Sequence, residues 1–346
     1  MQLFIDTFGT FLHVKDQMFE IIVPQENGEK KKHIIPPSKI NNMLLGSGVS
    51  LSSDAVKLAL INNIDILFVE YDGMPLGRVW HGKLGSTVKI RRAQLIAGAT
   101  VTGVNFIKEW IINKLTNQEE FLVKLKKHRS EKANYIDFQI QTILGCINNI
   151  KEAGAETIDD IADLIRGNEG VAGRIYFETL SELLPDEYKF GGRSKRPAMD
   201  SFNAFLNYAY GILYGRIEKA LIIAGIDPYL GFLHRDDYNQ KSMVFDFIEP
   251  FRILADETVF KLFSGKKVSG IHVDKLEKGV SLNKEGKTLL VNLFTNVLDE
   301  ETIKYKGKNY SNSHYIQLMA FEFAGRLINR KIKEEDFEKY DLLGDV

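Results

Sequence analysis

Short apolar runs separated by turn residues characterise the first quarter of the chain. Between residues 1 and 80, the runs LFIDTFGTFLHV, MFEIIVP, HIIPP and IDILFVEYDG are rich in Val, Ile and Phe, and Gly, Pro and Asn divide them. This alternation is typical of strands joined by turns. One segment, SSDAVKLALINN, has apolar residues at helical spacing, with Ser52 or Ser53 as its N-cap. We therefore predict a small β-rich domain with one helix over residues 1–86.

The pattern changes after PLGRVWHGKLGSTVK. From about Arg91 onward, long segments repeat their apolar residues at helical spacing, and strand signals are few. Clear examples are RAQLIAGATVTGVNFIKEWIINKLTNQEEFLVKLKKH and MDSFNAFLNYAYGILYGRIEKALIIAG. They predict a large all-α domain over residues 87–346, which is too long for a simple four-helix bundle. The predicted fold class is therefore α+β and multidomain, with a small N-terminal β-rich domain followed by a large all-α domain.

The composition narrows the class of protein. The chain has 346 residues, of which 44% are hydrophobic and 26% are charged, as in ordinary globular proteins. No uncharged apolar run reaches the roughly 18 residues that a membrane span needs. The N-terminus MQLFIDTFGTFLHV lacks a basic-then-apolar leader. We therefore predict a cytoplasmic protein without membrane contact. The only cysteine, Cys146, stands in an apolar helical pattern, which predicts a buried structural thiol.

A histidine followed by an acidic helix, GFLHRDDYNQKSMVFDFIEPFR at residues 231–252, is the first candidate for chemistry. Asp246 and Glu249 are three residues apart, so on a helix their carboxylates share one face. A plain amphipathic helix with that face in solvent also explains the spacing. Two features favour a site instead. Pro250 removes a backbone hydrogen bond and kinks the helix beside the acids, and His234 stands in an apolar turn where a buried imidazole needs a partner.

Glu169 is the second candidate, in the glycine-rich segment GNEGVAGRIYFETL. Glycines at positions 167, 170 and 173 disfavour a helix, and they predict the close approach of another element. The alternative is a glutamate that caps a helix over residues 171–184. One histidine with two carboxylates from separate turns or helices forms an open N/O ligand set, which suits Mg²⁺ or Mn²⁺. Such a set favours phosphoryl transfer.

The chain resembles a known family over nearly its whole length. GNEGVAGRIYF, RPAMDSFNAFLNYAYGILY and GFLHRDD…SMVFDFIEPFRILAD occur in the order and spacing of the signature blocks of the Cas1 family, the integrases of CRISPR adaptation. LFIDTFGTFL, PPSKINNMLLGSGVSLSSDAVKLALINNIDILFVEYDGMPLGRV and RRAQ are similar to the strand-rich N-terminal domain of that family and to the entry into its helical domain.

The resemblance implies a metal-dependent DNA integrase and endonuclease. The positions of the family's ligands for Mg²⁺ or Mn²⁺ correspond to Glu169, His234 and Glu249 in this chain. Asp246 matches a further family acid that supports the site. Family members act with the Cas2 protein and insert foreign DNA fragments as new spacers into the CRISPR array. The 3′-hydroxyls of the fragment are the nucleophiles in that reaction.

Further expectations follow from the same resemblance. Residues 1–86 are expected to mediate homodimerisation, and residues 87–346 are expected to be catalytic. The loop after the histidine is more acidic than is usual in the family. Asp236 and Asp237 are therefore predicted to be surface charges outside the site.

Double-stranded DNA is the expected substrate, and local basic clusters provide contacts for it. The formal net charge of −1 excludes a uniformly basic surface. In the loop KFGGRSKR, four residues are predicted to contact phosphates near the site: Lys189, Arg193, Lys195 and Arg196. The helix that follows carries Asn203 and Asn207. It is predicted to be buried, with its amides and hydroxyls satisfying one another rather than contacting DNA.

Two other functions remain open at this point. The chain is alternatively a non-catalytic scaffold that binds DNA ends, or a general nuclease that acts on branched DNA in repair. The presence of all three implied ligands disfavours the scaffold. The nuclease uses the same site and differs only in its substrate.

Overall fold

Residues 2–25, 27–40, 42–62, 64–69, 75–79, 87–234 and 241–329 are described by this computed structural model. The chain divides into two compact units, residues 1–84 and residues 85–346. Asp236 and Asp237, the predicted surface charges, lie outside the described residues.

The first unit is built from strands and one helix. Its elements are β1 (Gln2–Ile5), β2 (Phe11–Lys15), β3 (Met18–Pro24), β4 (Lys30–Ile35), β5 (Asn42–Leu45), β6 (Ser50–Leu51), α1 (Ser53–Ile61), β7 (Asp65–Val69) and β8 (Pro75–Val79). One sheet has the order β1-β5-β7-β8, and the other has the order β4-β3-β2-β6. The backbone N–H of Ala55 donates to the hydroxyl of Ser52, so Ser52 is the N-cap of α1. Leu12, Phe19, Met43 and Ile66 are fully buried in the core of this unit.

The second unit is mostly helical. Its helices are α2 (Thr87–Gly98), α3 (Val101–Lys126), α4 (Ala133–Glu152), α5 (Ala162–Glu182), α6 (Ser201–Ile223), α7 (Ser242–Phe247), α8 (Arg252–Ser264), α9 (Lys284–Asp299) and α10 (Asn312–Asn329). Two antiparallel hairpins interrupt them, β9 (Val273–Lys275) with β10 (Val280–Leu282), and β11 (Thr302–Tyr305) with β12 (Lys308–Ser311). The predicted fold class is confirmed, and the two hairpins are additions that the helical periodicity did not predict.

Helix α3 occupies the middle of the second unit. It packs against α4, α5, α7 and α8. Trp110 on α3 stacks on Phe232 and meets Phe247 and Phe323 edge to face. Such aromatic contacts combine large apolar burial with a defined geometry. The loop that precedes His234 and the helix that carries Asp246 are thereby held against the same side of α3.

The helix break at Pro250 is confirmed. Helix α7 ends at Phe247, a 3₁₀ turn covers Glu249–Phe251, and α8 begins at Arg252. The side-chain amide of Asn117 on α3 donates to the carbonyl oxygen of Pro250 at 2.8 Å. This bond holds the 3₁₀ turn against α3, and the turn places Glu249 in the interior.

Burial in the second unit agrees with the expectation for the cysteine. Cys146 on α4 is 6% exposed, and burial raises the pKa of its thiol, as expected for a structural cysteine. Among the described helices, no single one is long and apolar enough to cross a membrane. Helices α2 and α3 meet that requirement only as a pair, which is bent by 85°.

Candidate active site

Asp246 is a buried anchor for the loop that carries His234. Its side chain is 1% exposed. One of its oxygens accepts the backbone N–H groups of Phe232 at 2.5 Å and Leu233 at 3.0 Å, and the other accepts the N–H of His234 at 3.1 Å. Three backbone hydrogen bonds to one carboxylate hold the loop firmly against the start of α7. The interpretation of this segment as a plain amphipathic helix with its acidic face in solvent is therefore wrong for Asp246.

The loop reaches this anchor because Gly231 has no side chain. A Cβ atom there would lie 2.5 Å from the carbonyl oxygen of His234 and 2.5 Å from the Cβ of Ser242. Any other residue would force the loop away from the start of α7. From α5, the guanidinium of Arg166 donates to the carbonyl oxygen of Leu233 at 3.1 Å and holds the loop from a second side.

The imidazole of His234 is oriented by Asp246. Its Nδ1 lies 2.6 Å from the Asp246 carboxylate, which can only accept, so Nδ1 carries the proton and Nε2 remains available as a ligand or acceptor. Burial lowers the pKa of His234. The hydrogen bond to Asp246 and the charges of Asp246, Glu249 and Glu169 outweigh burial, and the pKa is raised overall. His234 therefore lies within electrostatic reach of both glutamates.

Glu249 is buried and doubly paired. Its side chain is 2% exposed, one oxygen accepts from the guanidinium of Arg252 at 2.9 Å, and the other lies 2.6 Å from the ammonium of Lys114. Burial by itself would raise the pKa of Glu249. Arg252 and Lys114 overcome that effect and hold the pKa at about 2. The carboxylate is therefore ionised at neutral pH despite its burial.

Glu169 meets Glu249 through the same lysine. The ammonium of Lys114 donates to Oε1 of Glu169 as well as contacting Oε2 of Glu249. Burial lowers the pKa of Lys114, but the charges of Glu249 and Glu169 raise it by more, so the ammonium form is favoured. Carboxylates from α5 and from the 3₁₀ turn thus converge on one point, 80 positions apart in the chain.

The local prediction around Glu169 is wrong in two respects. Glu169 lies inside α5, which runs from Ala162 to Glu182, and does not cap a helix that begins at residue 171. A Cβ atom added at Gly167, Gly170 or Gly173 would meet no atom of the described chain within 4 Å. These glycines therefore do not mark close packing. They leave the α5 surface without side chains at these three positions.

The candidate residues fit a divalent metal in kind, and two of them, Glu169 and Glu249, contact the same ammonium. In the parts of the chain that the structure describes, no three His, Cys, Asp or Glu side chains are grouped closely enough to hold a metal as they stand. Oε2 of Glu249 is buried without a well-aligned hydrogen bond, although the Lys114 ammonium lies 2.6 Å from it. A carboxylate oxygen in this state is a suitable ligand for a hard cation.

A second buried polar cluster lies behind Arg252. The guanidinium of Arg252 lies over the rings of Tyr210 and Tyr214, and the hydroxyl of Tyr210 donates to Asp256 at 2.6 Å. Asp256 is 1% exposed, so its carboxyl group lies in the interior. Burial raises the pKa of Asp256 to about 6. The cluster holds Arg252 in place beneath Glu249.

The predicted DNA-contact loop divides into inward and outward residues. The guanidinium of Arg193 donates to the side-chain oxygens of Asn203 and Asn207 at 2.7 Å each. Lys189 is paired with Asp186 and Glu182. The amides of α6 therefore hold the loop, which corrects the prediction that this helix satisfies its own polar groups. Lys189, Lys195 and Arg196 all have exposed side chains, and the Lys189 ammonium is engaged by its two acids.

Lys114 is the site residue that the sequence pattern did not reveal. Trp110, Ile111, Leu115 and Gln118 are all buried on α3, so position 114 belongs to the same buried face. A lysine at such a position is unusual, because a buried ammonium requires a counter-charge. The pattern therefore contained a signal for an acidic partner, but it did not identify which acid.

The fold defines a class of proteins shared with solved structures. A casposase bound to its integration product superposes with a TM-score of 0.79 at 22% sequence identity, over 100% of this chain and 99% of that one. A Cas1 protein from Thermotoga maritima superposes with a TM-score of 0.75 at 20% identity, over 96% of this chain and 98% of that one. At these identities the likeness establishes the fold.

Sequence comparison narrows this class to one family. The profile described as CRISPR associated protein Cas1 matches residues 3–296. The CRISPR-associated endonuclease Cas1 1 of Archaeoglobus fulgidus is 33% identical, over 98% of this chain and all of the relative. The CRISPR-associated endonuclease Cas1 2 of Saccharolobus solfataricus is 32% identical, over 80% of this chain and 81% of the relative. The chain therefore belongs to the CRISPR-associated Cas1 family, as its motifs predicted.

Proposed function

We propose that this chain is a metal-dependent DNA integrase and endonuclease of CRISPR adaptation. It inserts foreign DNA fragments into the CRISPR array as new spacers. The observation that supports this function most strongly is the convergence of Glu169 and Glu249 on one point, with His234 oriented by Asp246 beside them, in a chain of the Cas1 family.

Glu169, His234 and Glu249 would hold Mg²⁺ or Mn²⁺. When bound, such an ion supplies Lewis-acid stabilisation of a phosphodiester oxygen. In the proposed reaction the 3′-hydroxyl of the fragment attacks a phosphodiester of the array. A new P–O bond forms as the bond to the leaving deoxyribose oxygen breaks. The attacking hydroxyl loses a proton and the leaving oxygen gains one, so the exchange is balanced.

The residues of the chain itself have distinct roles in this proposal. Asp246 fixes the imidazole of His234 and the loop behind it. Arg252 engages one oxygen of Glu249 and leaves the other in contact with Lys114, which also contacts Glu169. The side-chain-free surface of α5 at Gly167, Gly170 and Gly173 gives a DNA backbone room to approach Glu169. In this proposal, buried side chains support the site from the interior, and the glycine surface of α5 leaves it open to DNA on one side.

Partners are proposed from the family and from the neighbours in fold. Solved structures with this fold include a casposase bound to integration product and a Cas6-RT-Cas1–Cas2 complex, in which the match covers 35% of the matched chain. We propose double-stranded DNA and a Cas2 protein as partners of this chain, with homodimerisation through residues 1–86 and catalysis in residues 87–346.

The wild-type protein tests the proposed function directly. Purified chain, with the Cas2 protein encoded in the same genome, is expected to join a duplex with 3′-hydroxyl ends to a plasmid that carries the CRISPR repeat. The formation of this product is expected to require Mg²⁺ or Mn²⁺, and EDTA is expected to abolish it. A duplex with 3′-dideoxy ends is the matched control. Cleavage of branched junctions without any integration would favour the repair nuclease, and salt-sensitive duplex binding without either reaction would favour the scaffold.

Lys195 and Arg196 are expected to contribute to DNA binding through phosphates. Replacing both with alanine is predicted to weaken duplex binding regardless of sequence, because phosphate contacts carry no base information. The slope of log K against log salt is expected to fall in magnitude by roughly 2, about one unit for each phosphate that is no longer neutralised. Fluorescence anisotropy over a salt series measures both quantities.

Lys189→Ala is the matched control for this pair. The Lys189 ammonium is already engaged by Asp186 and Glu182, so its loss is expected to change the salt slope less than the loss of Lys195 or Arg196 does. An unchanged slope in the double variant would exclude this part of the loop from the DNA interface.

A further inference from the structure

Lys114 contacts both glutamates of the candidate site from a third element. Its helix, α3, packs against α5 and against the 3₁₀ turn, so one side chain reaches the acid on each. Its ammonium donates to Oε1 of Glu169 and lies 2.6 Å from Oε2 of Glu249. The side chain is 12% exposed, and solvent therefore screens these contacts only weakly.

The point where the two carboxylates meet accommodates one cation at a time. An ammonium within contact distance of both oxygens occupies the space that a divalent ion would need to bind the same atoms. Two positive charges at that separation in a largely buried site also repel strongly. The other oxygen of Glu249 is taken by Arg252, so this glutamate offers a new ligand only through Oε2.

We propose that Lys114 competes with a divalent cation for Glu169 and Glu249, and thereby sets the metal affinity of the site. This inference rests on the proposed metal site. The lysine is a positioning residue: its ammonium holds two like-charged carboxylates together, and it must withdraw from them before a metal can bind. The flexible four-carbon stem of lysine permits such a withdrawal without a change in the backbone.

The positive and negative charges of the site are balanced while Lys114 occupies it. Glu169 and Glu249 carry two negative charges, and Lys114 and Arg252 carry two positive charges. A divalent ion in place of the Lys114 ammonium would leave the group positive by one. A phosphodiester and a developing 3′-alkoxide would bring two negative charges, so metal and DNA are expected to favour each other's binding.

Mn²⁺ binding to the full-length chain without DNA tests the competition. Lys114→Met keeps the length of the side chain and removes its charge. It is expected to lower the Kd for Mn²⁺ by roughly tenfold, because the competing charge is gone. Lys114→Arg keeps the charge and is expected to remain close to wild type. Free Mn²⁺ is measured by electron paramagnetic resonance, and melting curves confirm that each variant is folded.

Lys124→Met is the matched control on the same helix. Lys124 pairs with Glu257, and it lies ten residues beyond Lys114, which is about 15 Å along the helix axis. Its replacement is expected to leave the Kd for Mn²⁺ unchanged. If Lys124→Met lowered the Kd for Mn²⁺ as much as Lys114→Met does, the effect would come from the net charge of the protein alone. That result would overturn the inference.

The remaining outcomes separate this inference from the proposed function. If wild type and Lys114→Met bind Mn²⁺ equally well, competition is excluded while the metal site stands. If neither binds Mn²⁺, both the metal site and the competition are excluded. Wild-type protein labelled with ¹⁵N-lysine provides a second test if Lys114→Met does not fold. The ammonium signal absent from the Lys114→Arg spectrum is expected to shift on addition of Mg²⁺, and a constant signal would contradict the competition.

Discussion

Replacement of Glu249 by glutamine is expected to lower the rate of strand transfer by roughly a thousandfold, because the proposed role of Glu249 as a metal ligand would contribute several kcal/mol to the transition state. A neutral amide is a weaker ligand for a hard cation than a carboxylate is. It also leaves the guanidinium of Arg252 without its partner at 2.9 Å. The joining of a labelled duplex to a repeat-bearing plasmid, followed on a gel at saturating Mg²⁺, measures the loss.

The stability of this variant is expected to fall as well. Arg252 is 16% exposed, and a largely buried cation that loses its counter-charge is costly. The matched control is Glu257→Gln on α8. Glu257 pairs with Lys124 and Lys261 near the surface, and its replacement is expected to preserve both activity and Tm. Strand transfer at the wild-type rate in folded Glu249→Gln protein would show that Glu249 does not take part in the reaction.

Replacement of Asp246 by asparagine is the second change with a large expected effect. The carboxylate accepts three backbone N–H groups and the Nδ1–H of His234, whereas an amide offers one acceptor oxygen and places an NH₂ group against donors. We expect the free energy of unfolding to fall by about 2–4 kcal/mol, from the loss of charge-assisted hydrogen bonds to a buried group. Denaturant titration of the two proteins measures this loss.

The same substitution is expected to weaken function through His234. Loss of the group that orients a metal-binding histidine commonly lowers metal affinity or activity by about 10–100-fold. Mn²⁺ binding below the melting temperature of the variant separates this effect from the loss of stability. Asp163→Asn on α5 is the control, since Asp163 is fully exposed. Wild-type Mn²⁺ affinity in folded Asp246→Asn protein would show that Asp246 stabilises the loop without positioning the imidazole for metal.

The broad architecture was predictable because local patterns determine it. Alternating apolar residues and turn signals marked the β-rich unit, and helical periodicity marked the second unit, since side-chain burial repeats with the period of each element. The break at Pro250 was also predictable, because proline lacks the N–H that a continuous helix requires. The hairpins β9–β10 and β11–β12 were missed. Their strands have three or four residues each, too few for alternation to appear.

Glycine is the least reliable guide in this chain. The glycines around Glu169 predict close packing, yet they face no neighbouring atom within 4 Å among the described residues. Gly231, which stands in a longer apolar turn, is the position where a side chain cannot fit. A glycine in a sequence indicates only that no side chain is needed or tolerated there. The surrounding atoms alone distinguish an open surface from a crowded one.

The sequence by itself determined the two-unit architecture, the membership of the Cas1 family and the short list of acids and histidine that the family resemblance implies. Tertiary structure decided which charges meet. Glu169 and Glu249 are 80 positions apart, and their meeting at one lysine depends on how α3, α5 and the 3₁₀ turn pack. The contacts of Lys114 with both glutamates became visible only in the tertiary structure. The spacing of residues in a sequence indicates which face of a helix a residue occupies, but not which element packs against that face.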